Sequence, residues 1–225
     1  MKRWVIADIH GNFLALEELL KKSGFNYEED KLICLGDTCD GKSQSKECYD
    51  ELMKIKNLIY VWGNHDYWVS EWLKYGVAPR IWRSQGGDAT IASFLKDETL
   101  DSTPYIDFFK KAYPYYVEDN KIFMHGGYDW KRPIAQQHTR DIMWDRDLLE
   151  HAQLKRSKGE KDFKLGIYDE IYIGHTTTER ISLEPVNIGN VWALDQGSGW
   201  SGMLSLMDID TKEFFTAKGE EKGRG

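Results

Sequence analysis

One stretch, Leu32-Ile33-Cys34-Leu35-Gly36-Asp37-Thr38-Cys39-Asp40, constrains this chain more than any other. Four apolar residues run into a glycine, an aspartate and, three positions on, a second aspartate. The run reads as a buried strand ending at Leu35. Gly36 lets the chain turn sharply there. Asp37 and Asp40 then fall beyond the strand's carboxyl end, where open α/β sheets place ligand sites. A carboxylate in such a place is costly unless it is paired or bound to a metal. The pattern recurs: residues 4–7 run into Asp8-Ile9-His10-Gly11, and residues 58–62 into Gly63-Asn64-His65-Asp66. Three strand–loop–helix units in the first 75 residues predict a largely parallel α/β arrangement.

The rest of the chain is organised around that core. Asn12 is placed to cap a helix through about Ser23, with Phe13, Leu16, Leu19 and Leu20 at helical spacing and Gly24 as its stop. A second helix is expected over residues 44–56, with Leu52 and Ile55 facing inward. Residues 67–113 are rich in Trp, Tyr and Phe, are broken at Gly86-Gly87 and Pro104, and read as a helical insertion packed over the sheet edge. A hairpin over 114–124 turns at Asp119-Asn120. A helix over 140–154, a solvated charged loop over 155–164, strands at 170–173 and 191–194, and a closing hairpin over 202–217 follow. The β-rich second half predicts an added antiparallel sheet. The expected organisation is one domain over 1–218 with a disordered tail, 219–225, made only of Gly, Glu, Lys and Arg.

Composition excludes several classes of protein. The net charge of −7 argues against a protein that coats nucleic acid or membrane surfaces, because both need a basic face. No apolar run reaches the roughly 18 residues of a membrane span. The start of the chain is too short in its apolar part for a signal peptide. Three cysteines, Cys34, Cys39 and Cys48, form no disulfide framework and fit a reducing compartment. The expectation is a cytoplasmic protein with no membrane and no extended nucleic-acid partner.

Five apolar runs end in residues of metal-ligand type beside a glycine: Asp8/His10, Asp37, Asn64/His65, His125 and His175. Four of the six histidines lie at these ends; His138 and His151 do not, and read as surface residues. The set mixes carboxylate, imidazole and amide oxygen without thiolate, which suits Mn²⁺, Fe or Zn²⁺ used for chemistry. It exceeds the three ligands of a single catalytic zinc and suits two metals ~3.5–4 Å apart sharing one carboxylate.

In order and spacing, Asp8-Ile9-His10-Gly11, Gly36-Asp37-Thr38-Cys39-Asp40, Gly63-Asn64-His65-Asp66, His125-Gly126-Gly127 and Gly174-His175 resemble the calcineurin-like metallophosphoesterase superfamily. Residues 144–147 and 194–198 are similar to its phosphoprotein phosphatase branch, particularly the small bacterial and phage-type members. The resemblance implies an α/β fold of two packed β-sheets flanked by helices, in four α-β-β-α layers. It implies that Asp8 and His10 bind one metal, that Asp37 bridges both, and that Asn64, His125 and His175 complete the second. Two divalent ions, with Mn²⁺ favoured, would activate the water that attacks phosphorus. His65 would protonate the leaving oxygen and Asp40 would orient it. Arg146 would clamp the phosphoryl oxygens.

One departure stands out. The family pattern Asp-Arg-Gly is replaced here by Asp40-Gly41-Lys42, so the phosphate-holding arginine is missing. Lys42 is one substitute, as a point charge without the guanidinium fork, and Arg80 or Arg83 of the insertion another. Asp195 reads either as a partner of the ligands or as a strand-end turn. The resemblance implies a serine/threonine-type protein phosphatase or broad phosphomonoesterase, acting on a phosphorylated protein or a small phosphoester. The alternative within the same branch is a hydrolase of dinucleoside polyphosphates of the diadenosine tetraphosphate type. A catalytically dead scaffold would have no use for the intact ligand set.

Overall fold

The computed structural model describes residues 1–96 and 99–219, so all but the first residue of the predicted tail lies outside the described residues. Alternation along the strands dictates the architecture. In β1 (Arg3–Ile6) and β2 (Lys31–Cys34), Trp4, Ile6, Leu32 and Cys34 join one buried cluster, while Val5, Ala7, Ile33 and Leu35 join another. Both faces are therefore covered, which is why these strands are continuous apolar runs rather than alternating ones.

The first sheet has β3 (Asn57–Tyr60), β2 and β1 parallel in register, then β9 (Met203–Asp208) and β10 (Phe214–Lys218) antiparallel, in the order β10-β9-β1-β2-β3. The second has β4 (Tyr116–Glu118), β5 (Lys121–Phe123), β6 (Glu170–Ile173), β7 (Val186–Ile188) and β8 (Val191–Ala193), in the order β4-β5-β6-β8-β7. The two sheets meet through a shared apolar layer that includes Val5, Ile33, Val61, Leu194 and Met207. Phe123 and Tyr172 stack in it at 4.7 Å.

Helices cover the outer faces. On the first sheet lie α1 (Phe13–Ser23), α2 (Ser45–Leu52), α3 (Asn64–Tyr75), α4 (Arg80–Trp82), α5 (Asp88–Phe94) and α6 (Thr103–Phe109), packed through Leu16, Leu19, Tyr49, Trp82, Phe94 and Phe109. The second sheet is covered by α7 (Thr139–Trp144) and α8 (Asp147–Ser157) through Ile142, Leu148, Leu149 and Ala152. The result is the four-layer α/β arrangement expected for metallophosphoesterases. The segment after α3 is helical, and α4 and α5 are joined by the π-helical turn Arg83–Gly87.

Several local expectations are corrected. Asn12 does not cap α1; its side-chain amide donates to Ser198 Oγ at 3.0 Å and to the Gly202 carbonyl at 2.9 Å, tying α1 to the loop before β9. The helix predicted over 44–56 ends at Leu52. The helix predicted over 140–154 is two helices, because Asp145 turns extended and its carboxylate accepts from the Leu148 amide at 3.1 Å, starting α8 afresh. Helix α8 runs to Ser157, into the stretch read as loop. The second sheet is not antiparallel: β5, β6 and β8 run parallel, and only β4 and β7 at its edges are reversed. The closing hairpin belongs to the first sheet, where β9 pairs with β1. Strand β7 had no clear signal, being three residues long. The turn between β4 and β5 holds Asp119 and Asn120 at φ 49° and 56°, the left-handed pair of a two-residue hairpin.

Candidate metal centre

The loops that follow β1, β2, β3, β5 and β6 meet at one place and are sewn together by their own backbones. The Asp8 amide donates to the Gly36 carbonyl at 3.1 Å, the His10 amide to the Asp37 carbonyl at 2.9 Å, and the Gly174 amide to the His125 carbonyl at 2.7 Å. Turning so sharply places Asp8, His10, Asp37, Asp40 and His175 at positive φ, between 51° and 69°. Such backbone costs on the order of 1–3 kcal/mol per residue and persists where the surroundings over-determine it, commonly at functional sites.

The turns gather two groups of ligand-type atoms, Asp8–His10–Asp37 and Asp37–His125–His175, each with its atoms within 4.8 Å of one another. Asp37 is common to both. Asn64, the first residue of α3, brings Oδ1 to 2.8 Å from His125 Nε2, and Asp37 Oδ2 lies 3.3 Å from the same nitrogen. Every one of these side chains is buried.

The donor set fits divalent cations on several grounds. His10 Nδ1 bonds the Cys39 carbonyl at 2.9 Å and His125 Nδ1 bonds the Leu35 carbonyl at 2.7 Å. Each carbonyl fixes the proton on Nδ1 and leaves Nε2 as the ligand atom, the usual arrangement of metal-binding histidines. His175 Nε2 is buried and has no hydrogen-bond partner. Burial, with His125 and Arg146 nearby, pushes that imidazole down to about 2, so it is neutral as a ligand must be. At His125, three lone-pair atoms converge, and either a proton or a cation must sit among them. Burial disfavours the charged ring, but Asp37 beside it outweighs this and raises its pKa. Burial, with Asp195 and Asp37 close by, pushes the Asp8 carboxyl well above its usual range. Five buried carboxylates, Asp8, Asp37, Asp40, Asp66 and Asp195, thus stand in one region, an arrangement that bound cations relieve. The thiols of Cys34, Cys39 and Cys48 are free and buried, and none belongs to either group.

Beside the ligand atoms, His65 Nδ1 meets Asp40 Oδ2 at 2.5 Å. Burial opposes charge on His65, but Asp37 and then Asp40 overcome it and push the imidazole up to about 9. Arg146, on the break between α7 and α8, donates from Nη1 to the His175 carbonyl and to Thr176 Oγ1, each at 3.0 Å. Lys42 Nζ lies 3.4 Å from the Trp200 carbonyl. Arg80 and Arg83 are exposed, and Arg83 Nε donates to Asp88 at 2.6 Å rather than toward the ligands. His138 is exposed and His151 packs on Trp130, and neither belongs to the two groups of ligand-type atoms.

The missing arginine has a structural reason. Gly41 sits at φ 79°, where L side chains are rare, and a Cβ there would lie 3.0 Å from Gly199 Cα. From the other side Gly86, at φ 106°, comes so close that its own Cβ would lie 2.5 Å from the Gly41 amide nitrogen. Position 41 thus lies between the Gly199 backbone on its Cβ side and the Gly86 turn at its amide.

Three contributors, Asp66, Trp82 and Thr90, carried no role in the sequence reading. Asp66 accepts the amides of Asp37 at 2.7 Å, Thr38 at 3.2 Å and Gly63 at 3.1 Å, and the Tyr49 hydroxyl at 2.6 Å, so it staples the Asp37 loop to the start of α3. Its place in Gly63-Asn64-His65-Asp66, at the third helical position, was the available signal. Trp82 and Thr90 bond Asp40 from 42 and 50 residues away, which no local pattern announces. Asp195 is buried, and its carboxylate accepts the Gly197 amide at 2.8 Å.

The fold and the carboxylate–imidazole groups sharing Asp37 define a metallophosphoesterase. Residues 1–220 match the Calcineurin-like phosphoesterase family, and the chain belongs to it. It is 24% identical over 214 residues to serine/threonine-protein phosphatase 1 of Salmonella typhimurium, covering 92% of this chain and 91% of that protein. It is 27% identical over 269 residues to the symmetrical bis(5'-nucleosyl)-tetraphosphatase of Neisseria meningitidis, covering 95% and 94%. A solved structure described as a candidate diadenosine tetraphosphatase superposes with a TM-score of 0.72 at 17% identity, over 98% of this chain and 94% of that one, and shares the fold. Among the described residues no helix is long and apolar enough to cross a membrane.

Proposed function

We propose that the chain is a two-metal phosphomonoesterase of the serine/threonine protein phosphatase or broad-specificity kind. The observation that carries this is the pair of ligand groups sharing Asp37 with the His65–Asp40 pair alongside them. In this reading Asp8, His10 and Asp37 hold one cation, and Asp37, Asn64, His125 and His175 hold the other. The mixed oxygen and nitrogen donors favour Mn²⁺, with Fe or Zn²⁺ as alternatives. Two bound cations supply an acidified water and neutralise phosphoryl charge. Asp40 accepts the Nδ1 proton of His65 and so presents Nε2–H to the leaving oxygen, which takes that proton as the P–O bond breaks. Arg146, anchored through Nη1, offers its remaining guanidinium donors to the phosphoryl oxygens. Lys42 contributes at most a point charge. Three buried free thiols suit a reducing compartment such as the cytoplasm.

The test is aryl phosphate hydrolysis by metal-stripped protein with Mn²⁺, Zn²⁺ and Mg²⁺ added back singly. Mn²⁺ restores activity, and Asp37→Asn loses more than the roughly 10²–10⁴-fold of a missing general acid. Two cations bound in calorimetry with no hydrolysis overturns the reading.

A second reading, hydrolysis of a dinucleoside polyphosphate, has its own support. A cleft of about 720 Å³ opens beside Asn64 between α3 and α7, lined by Trp62, Tyr67, Trp68 and Trp144 with Lys74 and Arg140. Aromatic faces stack bases and the cations suit a polyphosphate. Phosphopeptide, aryl phosphate and diadenosine tetraphosphate compared at equal concentration separate the readings. Preference for the dinucleotide that collapses in Trp144→Ala selects the second.

A further inference from the structure

We propose that Trp82 and Thr90, both on the helical segment between β3 and β4, are positioning residues for proton donation by His65. The inference rests on the reading of His65 as the group that protonates the leaving oxygen.

Asp40 is completely buried, so its carboxylate must find donors within the protein. It finds one set on each oxygen. Oδ2 accepts from His65 Nδ1 at 2.5 Å and from Trp82 Nε1 at 2.8 Å. Oδ1 accepts from Thr90 Oγ1 at 2.6 Å. The directions are forced. An indole N–H only donates. The single Thr90 hydroxyl proton goes to Asp40, so that same oxygen accepts from the Asp40 amide at 2.9 Å and from Ser45 Oγ at 3.0 Å. Donors on both oxygens fix the plane of the carboxylate. That plane fixes the His65 ring through a bond that a freely turning carboxylate would let swing.

The supporting structure is built for this. Trp82 is wholly buried, tilted against Trp72 at a centroid distance of 6.1 Å, and so close to Gly87 that a Cβ there would lie 2.7 Å from its ring. The Gly86 turn presses on the Gly41 amide next to Asp40. The segment that carries Gly86, Trp82 and Thr90 therefore touches the Asp40 side of the Asp40–His65 pair. Its proposed role is in the protonation of the leaving group.

Leaving-group dependence tests this, because protonation matters for a poor leaving oxygen and little for a good one. The parent, His65→Asn, Trp82→Phe, Thr90→Val and Thr90→Ser are compared on phenyl phosphate and dinitrophenyl phosphate at saturating Mn²⁺, with bound metal measured by calorimetry. His65→Asn is expected to lose roughly 10²–10⁴-fold in kcat on phenyl phosphate and far less on dinitrophenyl phosphate. Trp82→Phe and Thr90→Val are expected to lose about tenfold on phenyl phosphate and under about twofold on dinitrophenyl phosphate, with KM and metal stoichiometry unchanged. Thr90→Ser, which keeps the hydroxyl, restores the parent rate. Equal losses on both substrates, or none, in Trp82→Phe and Thr90→Val while His65→Asn is leaving-group dependent would overturn the positioning role alone. A His65→Asn enzyme without that dependence removes the proton-donor reading and this inference with it. Thr90→Val is nearly isosteric and carries the test if Trp82→Phe does not fold.

Discussion

The strand-end loops and the helical segment over 76–109 reach the same cluster of side chains by opposite means. In the loops the residues of ligand type are placed by backbone: positive φ at Asp8, His10, Asp37 and His175, the first turn of α3 at Asn64, and amide–carbonyl bonds from loop to loop. Among the described residues of the insertion no backbone turn carries a residue of the two ligand-type groups. Its short helices hold together through aromatic pairs such as Phe94–Tyr105 at 4.9 Å and pack on the chain after β3 through Trp62–Phe109 at 5.2 Å, and Trp82 and Thr90 side chains touch Asp40. The proposed metal ligation is a local property of strand ends. The aim of His65, the proposed proton donor, is a long-range property of packing, and on this reading the two can be altered separately.

The sharpest way to break that separation is His65→Asn. It is expected to lower kcat by roughly 10²–10⁴-fold while calorimetry still counts two metals. Metal loss in that variant would show that the pair is part of the ligand scaffold after all. Next is metal itself. Because buried carboxylates crowd the loops, metal-stripped protein should unfold earlier in a thermal scan, and a cation at a hundredfold excess over its Kd should return about 2.7 kcal/mol per site. An unchanged melting temperature would place the cations elsewhere. Arg146→Ala should lower kcat/KM by about 10- to 100-fold, as for the loss of a charge-assisted hydrogen bond of about 1.5–3 kcal/mol. Lys42→Ala should change it less than about twofold. A reversal of that order would mean that the lysine takes the missing arginine's place. The smallest effect is on stability: Gly86→Ala forces a side chain against the Gly41 amide and should cost about 1–3 kcal/mol in denaturant unfolding, leaving metal stoichiometry unchanged.

Much of the fold was legible because its signals are short-range. Buried parallel strands announce themselves as apolar runs, and the glycine with a polar residue after each run marks the loop that must turn at its carboxyl end. The errors were of another kind. Asn12 stands where a capping residue should, yet its amide is claimed by Ser198 and Gly202 from the far end of the chain. Residues 140–154 keep a helical pattern through Asp145, but Gly126 and Gly127 amides bonding the Ile142 carbonyl dock the loop after β5 at that point and the helix restarts. Strand direction in the second sheet depends on which element lies beside which, and no periodicity carries that.

By itself the sequence determined the strand ends and the residue types placed on them, whose order and spacing resemble the motifs of the metallophosphoesterase class. Backbone geometry at a strand end is decided within a few residues. Only the tertiary structure decided that a side chain at Gly41 would be strained and crowded against Gly199, that Asp66 staples two loops, and that Trp82 and Thr90 hold Asp40 from both oxygens. The bonds to Asp40 join residues 25 to 50 positions apart, as Asp40 and His65, or Asp40 and Thr90, are, and they exist because a buried polar group must find its partners within the protein.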